Sequence, residues 1–427
     1  MSYKQESNLN QVRRVAIVDL TRKLTESQKI VLGHLTYSAS KLWNVANYAF
    51  REENIPLKEL KSHLKDSFWY KNLHSQSAQA VIEKLESAWK GYLNKRKGAD
   101  NCPPGYQPKD GHFPVKWKKA GFRFVEKDRR LFVRLSLSKQ TRKYLKEKHG
   151  IESSYLWVEI PKSSPFDPER VQEVEIVPHR FAGDRNTYYV RHVIYRKKLD
   201  TGSCTERKQR WMAIDPGVVN LAACVIDGVL DPLIVSGRYA LSMLRWWNKE
   251  RARLQSVYDR QKLKGSKRLS MISLWRRNFM RDFVHKAVKE IISFAVANGV
   301  TDIAVGDLSK RVASSDIGHV NNQKLHQLPL GKFVHVLEYK AAEAGIRVHQ
   351  VDEYMTSETC SVCGQYRPAN RIKRGLWRCR ACGCVLNADV NAARNILLKV
   401  CPNPSVDRAS GLGHPRRIRV PCASASV

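Results

Sequence analysis

The chain has 427 residues, enough for about two to four units with cores of their own, and 42% apolar against 27% charged residues excludes wholesale disorder. The charge is lopsided, 75 Lys plus Arg against 40 Asp plus Glu for a net +35, and self-repulsion of that size points to a polyanion, nucleic acid first, as the partner. No run of about 18 apolar residues would span a membrane, the opening MSYKQESNLN lacks a signal-peptide core, and the expected setting is the cytosol, where ten cysteines read as metal ligands and free thiols.

VRRVAIVDL (12–20) predicts a strand. Thr25 and Gln28 stand in capping-box spacing, so a helix is expected from Glu26, with Leu32, Leu35, Ala39, Leu42 and Ala46 on one face. A second helix is expected over about 76–95, with Val81, Ile82, Leu85, Ala88, Trp89, Tyr92 and Leu93 as its stripe, and 95–111 reads as a loop. From 113 to 198 the period changes to two, and 130–138, 154–161, 173–179 and 186–196 read as strands of a β-barrel or sandwich that the first strand could join. RWMAIDPGVVNLAACVIDG (210–228) is strand, turn, strand. A basic helical stretch follows over 239–298, interrupted at KLKGSKR, and then two βα-like units, DIAVGDL with a helix near 330–344 and IRVHQVDEYMTS. ADVNAARNILLKV (388–400) is a helix, and the tail after Pro402 is basic, aperiodic and expected to be disordered.

CSVC (360–363) and CRAC (379–382) place Cys360, Cys363, Cys379 and Cys382 in two C-x2-C knuckles 15 residues apart. Four thiolates in this spacing suit one structural Zn2+, and the closed shell leaves no position for chemistry. Cys384 stands just outside the pattern and reads as a spare thiol.

Two carboxylates stand where strands or helices open to solvent. Asp215 ends the strand WMAI before Pro-Gly, a place that also suits a turn-initiating aspartate, and Asp389 opens a helix on its apolar face, where a cap or first-turn acid is equally at home. Three acids drawn from distant positions are what a phosphodiester nuclease with two Mg2+ ions about 4 Å apart requires, and a strand end joined to a helix start suits an RNase H-like α/β layer.

AIDPGVVNLA, RDFVHKA, YMTSETCSVCG, WRCRACG and DVNAARNIL occur in that order, and the set resembles the TnpB family of transposon-encoded RNA-guided DNA nucleases, relatives of type V CRISPR effectors. The resemblance is most specific over about 210–400. It implies a multidomain α+β fold: an RNase H-like (RuvC-like) nuclease domain with a zinc-ribbon insert, plus a wedge β-barrel containing a helical recognition domain. The implied boundaries are 1–24 for the first barrel strand, 25–110 for the helical domain and 111–206 for the barrel. The nuclease is expected over 207–356 and 385–401, the target-nucleic-acid-binding insert over 357–384, and the tail over 402–427. It further implies guide RNA and target double-stranded DNA as partners, a protein-read motif beside the target, Mg2+-dependent cleavage, and a monomer with no membrane association.

On the family pattern Asp215 corresponds to the first acid and Asp389 to the last, but the usual middle glutamate falls at Gly306. Asp307 is the nearest substitute, yet alternation turns a neighbouring side chain to the opposite face unless a bulge intervenes. Glu353, ending the adjoining strand, is preferred, and some members of the family carry a relocated glutamate in this neighbourhood. The third possibility is no functional third acid, which would make the chain a decayed RNA-guided DNA-binding regulator. A zinc-ribbon accessory protein of transposition is the remaining alternative. Arg245, Trp247, Arg251, Arg276, Arg277, Arg281, Lys286, Arg374 and Trp377 are candidate nucleic-acid contacts, and Trp43, Asn44 and Asn47 could face DNA or pack between helices.

Overall fold

The computed structural model describes all residues except 1–10, 21–22, 95–101, 162, 182–183, 185, 199–207, 264, 308–327, 374, 402–414 and 421–427. Two compact units divide the chain, one spanning Arg13–Lys197 and the other built on Lys198–Val427.

In the first unit the strand β1 (Gln11–Asp19) is followed by α1 (Glu26–Arg51), whose start is fixed by a reciprocal capping box. The Thr25 hydroxyl accepts from Gln28 N at 3.2 Å, and Gln28 Oε1 accepts from Thr25 N at 2.8 Å. Two single-turn helices, α2 (Leu60–His63) and α3 (Phe68–Lys71), lead to α4 (Ser75–Asn94). The predicted apolar stripes of α1 and α4 are buried, except that Ala88 and Tyr92 are half-buried and Leu93 stays exposed. Six strands follow: β2 (Val115–Lys118), β3 (Phe122–Lys127), β4 (Arg130–Ser136), β5 (Tyr155–Ile160), β6 (Val171–Arg180) and β7 (Thr187–Lys198). They form two sheets, β1-β7-β6-β2 and β3-β4-β5, so the first strand does join the later ones. Both sheets and helices α1 and α4 share one apolar core. Fully buried Arg191 of β7 donates to Glu159 O of β5 at 2.7 Å and ties the sheets together, and burial lowers its pKa to about 10. Helix α5 (Lys139–His149) is not legible in the sequence pattern, because its mostly basic turns bury little besides Leu145 and Thr141. Ser138 caps it, and Gly150 ends it at a φ of 64°.

The second unit holds a six-stranded sheet. Its meander is β8 (Trp211–Pro216), β9 (Asn220–Ile226) and β10 (Leu233–Ser236), followed by helices α6 (Arg238–Arg260) and α7 (Lys267–Ala297). Strand β11 (Asp302–Asp307), helix α8 (Leu330–Glu343) and strand β12 (Arg347–Asp352) come next. With β16 (Arg416–Arg419) at one edge, the order is β12-β11-β8-β9-β10-β16, with β9 antiparallel to both neighbours and the other pairs parallel, an RNase H-like arrangement. Alternation divides the sheet's side chains between two cores. Met212, Ile214, Ile303 and Val305 pack with α6, α7 and α8, while Ala213, Ala223 and Ala304 pack with α9 (Ala388–Val400). The alanines let α9 lie close on the sheet. The last strand, β16 (Arg416–Arg419), runs parallel to β10. The expected disordered tail is therefore corrected at these residues, because an open sheet edge offers backbone partners that periodicity does not report. Residues 402–414 and 421–427 lie outside the described ones.

Asp302 anchors the far end of β11. Its carboxylate, 1% exposed, accepts from Arg347 at 2.8 and 2.9 Å, from His349 at 3.0 Å and from Thr301 at 2.8 Å. Burial alone would raise its pKa, but the bonds from Arg347, His349 and Thr301 outweigh that and hold it below the usual carboxylate value. A depressed folded pKa contributes stability above the unfolded value of about 3.9 that is lost as pH falls through the folded value. Asp302→Ala is expected to cost about 3 kcal/mol at pH 7, since it leaves Arg347 and His349 without their buried anion. In urea melts the gap between variant and parent should hold from pH 7 to about 5 and narrow only as the pH falls below the unfolded value of about 3.9.

Candidate active site and metal centre

The strand ends converge under α9. The parallel register pairs Val305 with Ile214, so the next residues, Gly306 and Asp215, lie side by side at about 4.8 Å strand spacing. On the other side Gly306 pairs with Val351, two residues before Glu353. Ala213 and Ala304 face α9, and residues two further along each strand, Asp215 and Gly306, share that face. Val305 belongs to the opposite core, which puts Asp307 on the face away from α9.

Glu353 is 5% exposed, and its carboxylate fills the space above Gly306. A Cβ placed on Gly306 would collide with Glu353 Oε1 and lie 2.7 Å from both Cγ and Cδ. The placement of this carboxylate therefore requires the glycine: only a residue without a side chain at 306 leaves room for Glu353 where it stands. Gly306→Ala should lower stability by about 1–3 kcal/mol through this overlap, and Gly306→Ala combined with Glu353→Ala should regain most of it in a thermal melt.

Asp389 lies in the first turn of α9, where Asn387 is the cap, its side chain accepting from the Asp389 and Val390 amides at 3.0 and 3.3 Å. Asp389 Oδ2 accepts from Asn220 Nδ2 at 2.6 Å, Asn220 Oδ1 accepts from Arg417 at 3.4 Å, and Arg371 stands 3.6 Å from Asp389 Oδ1. Sequence reading missed Asn220, Arg371 and Arg417, since nothing local marks residues recruited from β9, the insert and β16. Among the described residues, Cys360, Cys363, Cys379 and Cys382 form a group whose sulfurs all lie within 4.8 Å of one another, and Asp215, Glu353 and Asp389 form no group that tight. The three acids are more widely spaced. Two Mg2+ ions about 4 Å apart, with oxygens about 2.1 Å outside each, themselves need outer carboxylates about 8 Å apart.

The insert contains β13 (Arg371–Lys373), β14 (Leu376–Arg378) and β15 (Val385–Leu386) in one small sheet. Cys360 and Cys382 sulfurs lie 3.8 Å apart and those of Cys363 and Cys379 3.6 Å apart. Zn–S bonds of about 2.3 Å put tetrahedral sulfurs about 3.8 Å apart, so the knuckles fit a tetrahedral ion. Burial pushes the Cys360 thiol up, while the amide of Cys384, donating to Cys382, lowers that thiol to about 6. Cys384 is not outside the cluster, as its sulfur lies 3.5 Å from Cys360 and 3.3 Å from Cys382. The insert is tied to α9 by buried Asn391 and Asn395. Asn391 accepts from Ser361 N at 2.9 Å and donates to Thr359 O at 2.8 Å, and Asn395 donates to Thr356 O and Thr359 O at 2.7 Å each.

Two aromatic candidates are corrected. Trp247 is 6% exposed, donates to Ile272 O at 3.1 Å and lies under Arg276 and Arg251 at 4.5 and 5.4 Å, so it packs the α6–α7 hairpin. Trp377, 0% exposed, forms the core of the insert. Both are apolar enough to be consumed by small cores that lack larger residues. Arg245, Arg251 and Arg277 are exposed, Arg281 is half-buried, Lys286 pairs with Asp282 at 2.8 Å, and Arg374 lies outside the described residues. Trp43, Asn44 and Asn47 also turn inward, donating to Gly105 O, Gln107 O and Pro104 O at 3.0, 2.9 and 3.1 Å, and so fix that loop.

The sheet order, the strand-end acids and the four-cysteine insert define an RNase H-like α+β protein with a zinc-ribbon-type module. A family model for the TNB domain of Cas12f1-like proteins matches residues 331–396, and the OrfB_IS605 model, described as a probable transposase, matches 192–312. The chain is 34% identical over 131 residues to the CRISPR-associated endodeoxyribonuclease Cas12f1 of Sulfoacidibacillus thermotolerans, covering 31% of this chain and 28% of that protein. It is 26% identical over 417 residues to TnpB-like protein ORF457 of Acidianus two-tailed virus, covering 91% of this chain and 86% of the viral one. The fold matches that of Cas12f1 in a Cas12f1–sgRNA–target DNA complex with a TM-score of 0.62 at 16% identity, over 87% of this chain and 83% of that one. These matches bear out the resemblance to the TnpB family and its Cas12f1 relatives. Among the described residues no helix is long and apolar enough to cross a membrane.

Proposed function

We propose that this chain is an RNA-guided, Mg2+-dependent DNA endonuclease that cleaves DNA paired to a bound guide RNA beside a short protein-read motif. The observation that carries the reading is the carboxylate of Glu353 over Gly306, on the sheet face that also bears Asp215 and is covered by the helix of Asp389. Asp215, Glu353 and Asp389 would hold Mg2+, whose chemistry there is to activate a water and offset charge on the leaving oxygen. Asn220 keeps Asp389 turned by its 2.6 Å bond, and Arg371 at 3.6 Å tempers the site's negative charge before DNA enters. Cys360, Cys363, Cys379 and Cys382 would hold one structural Zn2+, with donors and spacing that suit it.

The +35 charge supports guide RNA and double-stranded target DNA as partners of a monomer acting in the cytoplasm. Exposed Arg245, Arg251 and Arg277 are the better candidates for phosphate contact. The relatives named as an endodeoxyribonuclease and as TnpB-like support the same class. The test is plasmid cleavage by the purified protein–RNA complex, with and without Mg2+, alongside a gel-shift on the same target. Cutting that requires Mg2+ and a matching guide is expected. Tight, guide-dependent binding without cutting would instead establish the decayed DNA-binding regulator.

A further inference from the structure

We propose that Cys384 is an exchange ligand of the zinc centre, able to take the position of Cys382 so that the ion keeps four sulfurs in either of two arrangements. Its sulfur lies 3.3 Å from Cys382 and 3.5 Å from Cys360, as close as the sulfurs of the pairs Cys363–Cys379 and Cys360–Cys382 lie at 3.6 and 3.8 Å. The backbone fixes this placement. Gly383 N donates to Cys379 O at 3.0 Å and Cys379 N donates to Cys384 O at 2.9 Å, closing the turn, while Gly383 adopts a φ of 72° that other residues rarely take. Cys384 is thereby turned into the cluster and half-buried, whereas Cys382 is exposed.

Tetrathiolate zinc is closed, so a fifth sulfur enters only as another leaves. The Zn–S bond to Cys382 breaks, one to Cys384 forms, and the proton of the Cys384 thiol passes through solvent to Cys382. No electrons are exchanged and the ion's thiolate count stays at four. The consequence is a centre that survives loss of one exposed ligand, Cys382.

The experiment uses the full-length protein loaded with Co2+ or Zn2+, in Cys382→Ser, Cys384→Ser, Cys382→Ser/Cys384→Ser and Cys363→Ser forms. Both single variants in the 382–384 pair should keep the full thiolate-to-cobalt charge-transfer band and one metal per chain. The double variant and Cys363→Ser should lose about a quarter of the band, one of four ligands, and surrender zinc to a chelator at least ~10-fold faster. Cys382→Ser behaving like Cys363→Ser overturns the proposal. A second measurement needs no variant: limiting alkylation of the zinc-loaded parent, followed by peptide mapping, should place label on both Cys382 and Cys384. Label on Cys384 alone overturns it.

Discussion

On the proposed reading, Glu353→Ala is expected to lower cleavage by about 10³-fold or more in rate while leaving guide-dependent DNA binding within about 2-fold of the parent, because losing a carboxylate proposed to hold Mg2+ would act on the chemical step by several kcal/mol. Asp215→Ala and Asp389→Ala should match it. Asp307→Ala should cut within about 3-fold of the parent, because Val305 and its neighbours place residue 307 on the face away from α9. Single-turnover cleavage with a gel-shift on the same target reads both quantities. Full activity in Glu353→Ala with loss in Asp307→Ala would sink the assignment. The overlap at Gly306 adds a sharper expectation: Glu353→Ala empties the volume above that glycine, so adding Gly306→Glu to it should return part of the lost rate. The single Gly306→Glu change, which forces two carboxyls into one space, should not.

The second large effect is on metal removal. Chelation of zinc, or Cys379→Ser, should abolish protection of the β13–β15 amides in hydrogen exchange, because the insert contributes little more than Trp377, Leu386 and two of the cysteines to the core it shares with α9. Apparent structural-zinc binding energies of about 10–16 kcal/mol in isolated peptides set the scale. The damage should spread to the start of α9, since Asn391 and Asn395 carry the bonds to Thr359, Thr356 and Ser361. The β8 and β11 amides should stay protected, being held by the sheet. Uniform loss across the whole second unit would show that the insert and the sheet fold as one.

The spacing of the four cysteines, the capping box at Thr25 and the alternation along β8 and β11 are local, and each was readable because its physics acts between neighbours in the sequence. The same locality explains why Gly306 was legible as a site-facing vacancy and Asp307 as turned away. Trp377 reads as a possible stacking surface but is buried, and Trp247, for which packing is the stronger expectation, is buried too, because composition does not say which aromatics a core will consume. Helix α5 and strand β16 went unseen for a related reason, one having scarcely any apolar stripe and the other depending on a sheet edge supplied by β10.

The sequence by itself determined most of the longer elements, the charge that calls for nucleic acid, the metal-type knuckles and the short set of acids that could matter. Only the tertiary structure decided that Glu353 occupies the volume left by Gly306, that Asn220 holds Asp389, and that Cys384 touches the thiolate cluster. Each of these joins residues from different elements. Their distances depend on register, on close approach over alanines and on a glycine turn, which no periodicity along the chain encodes.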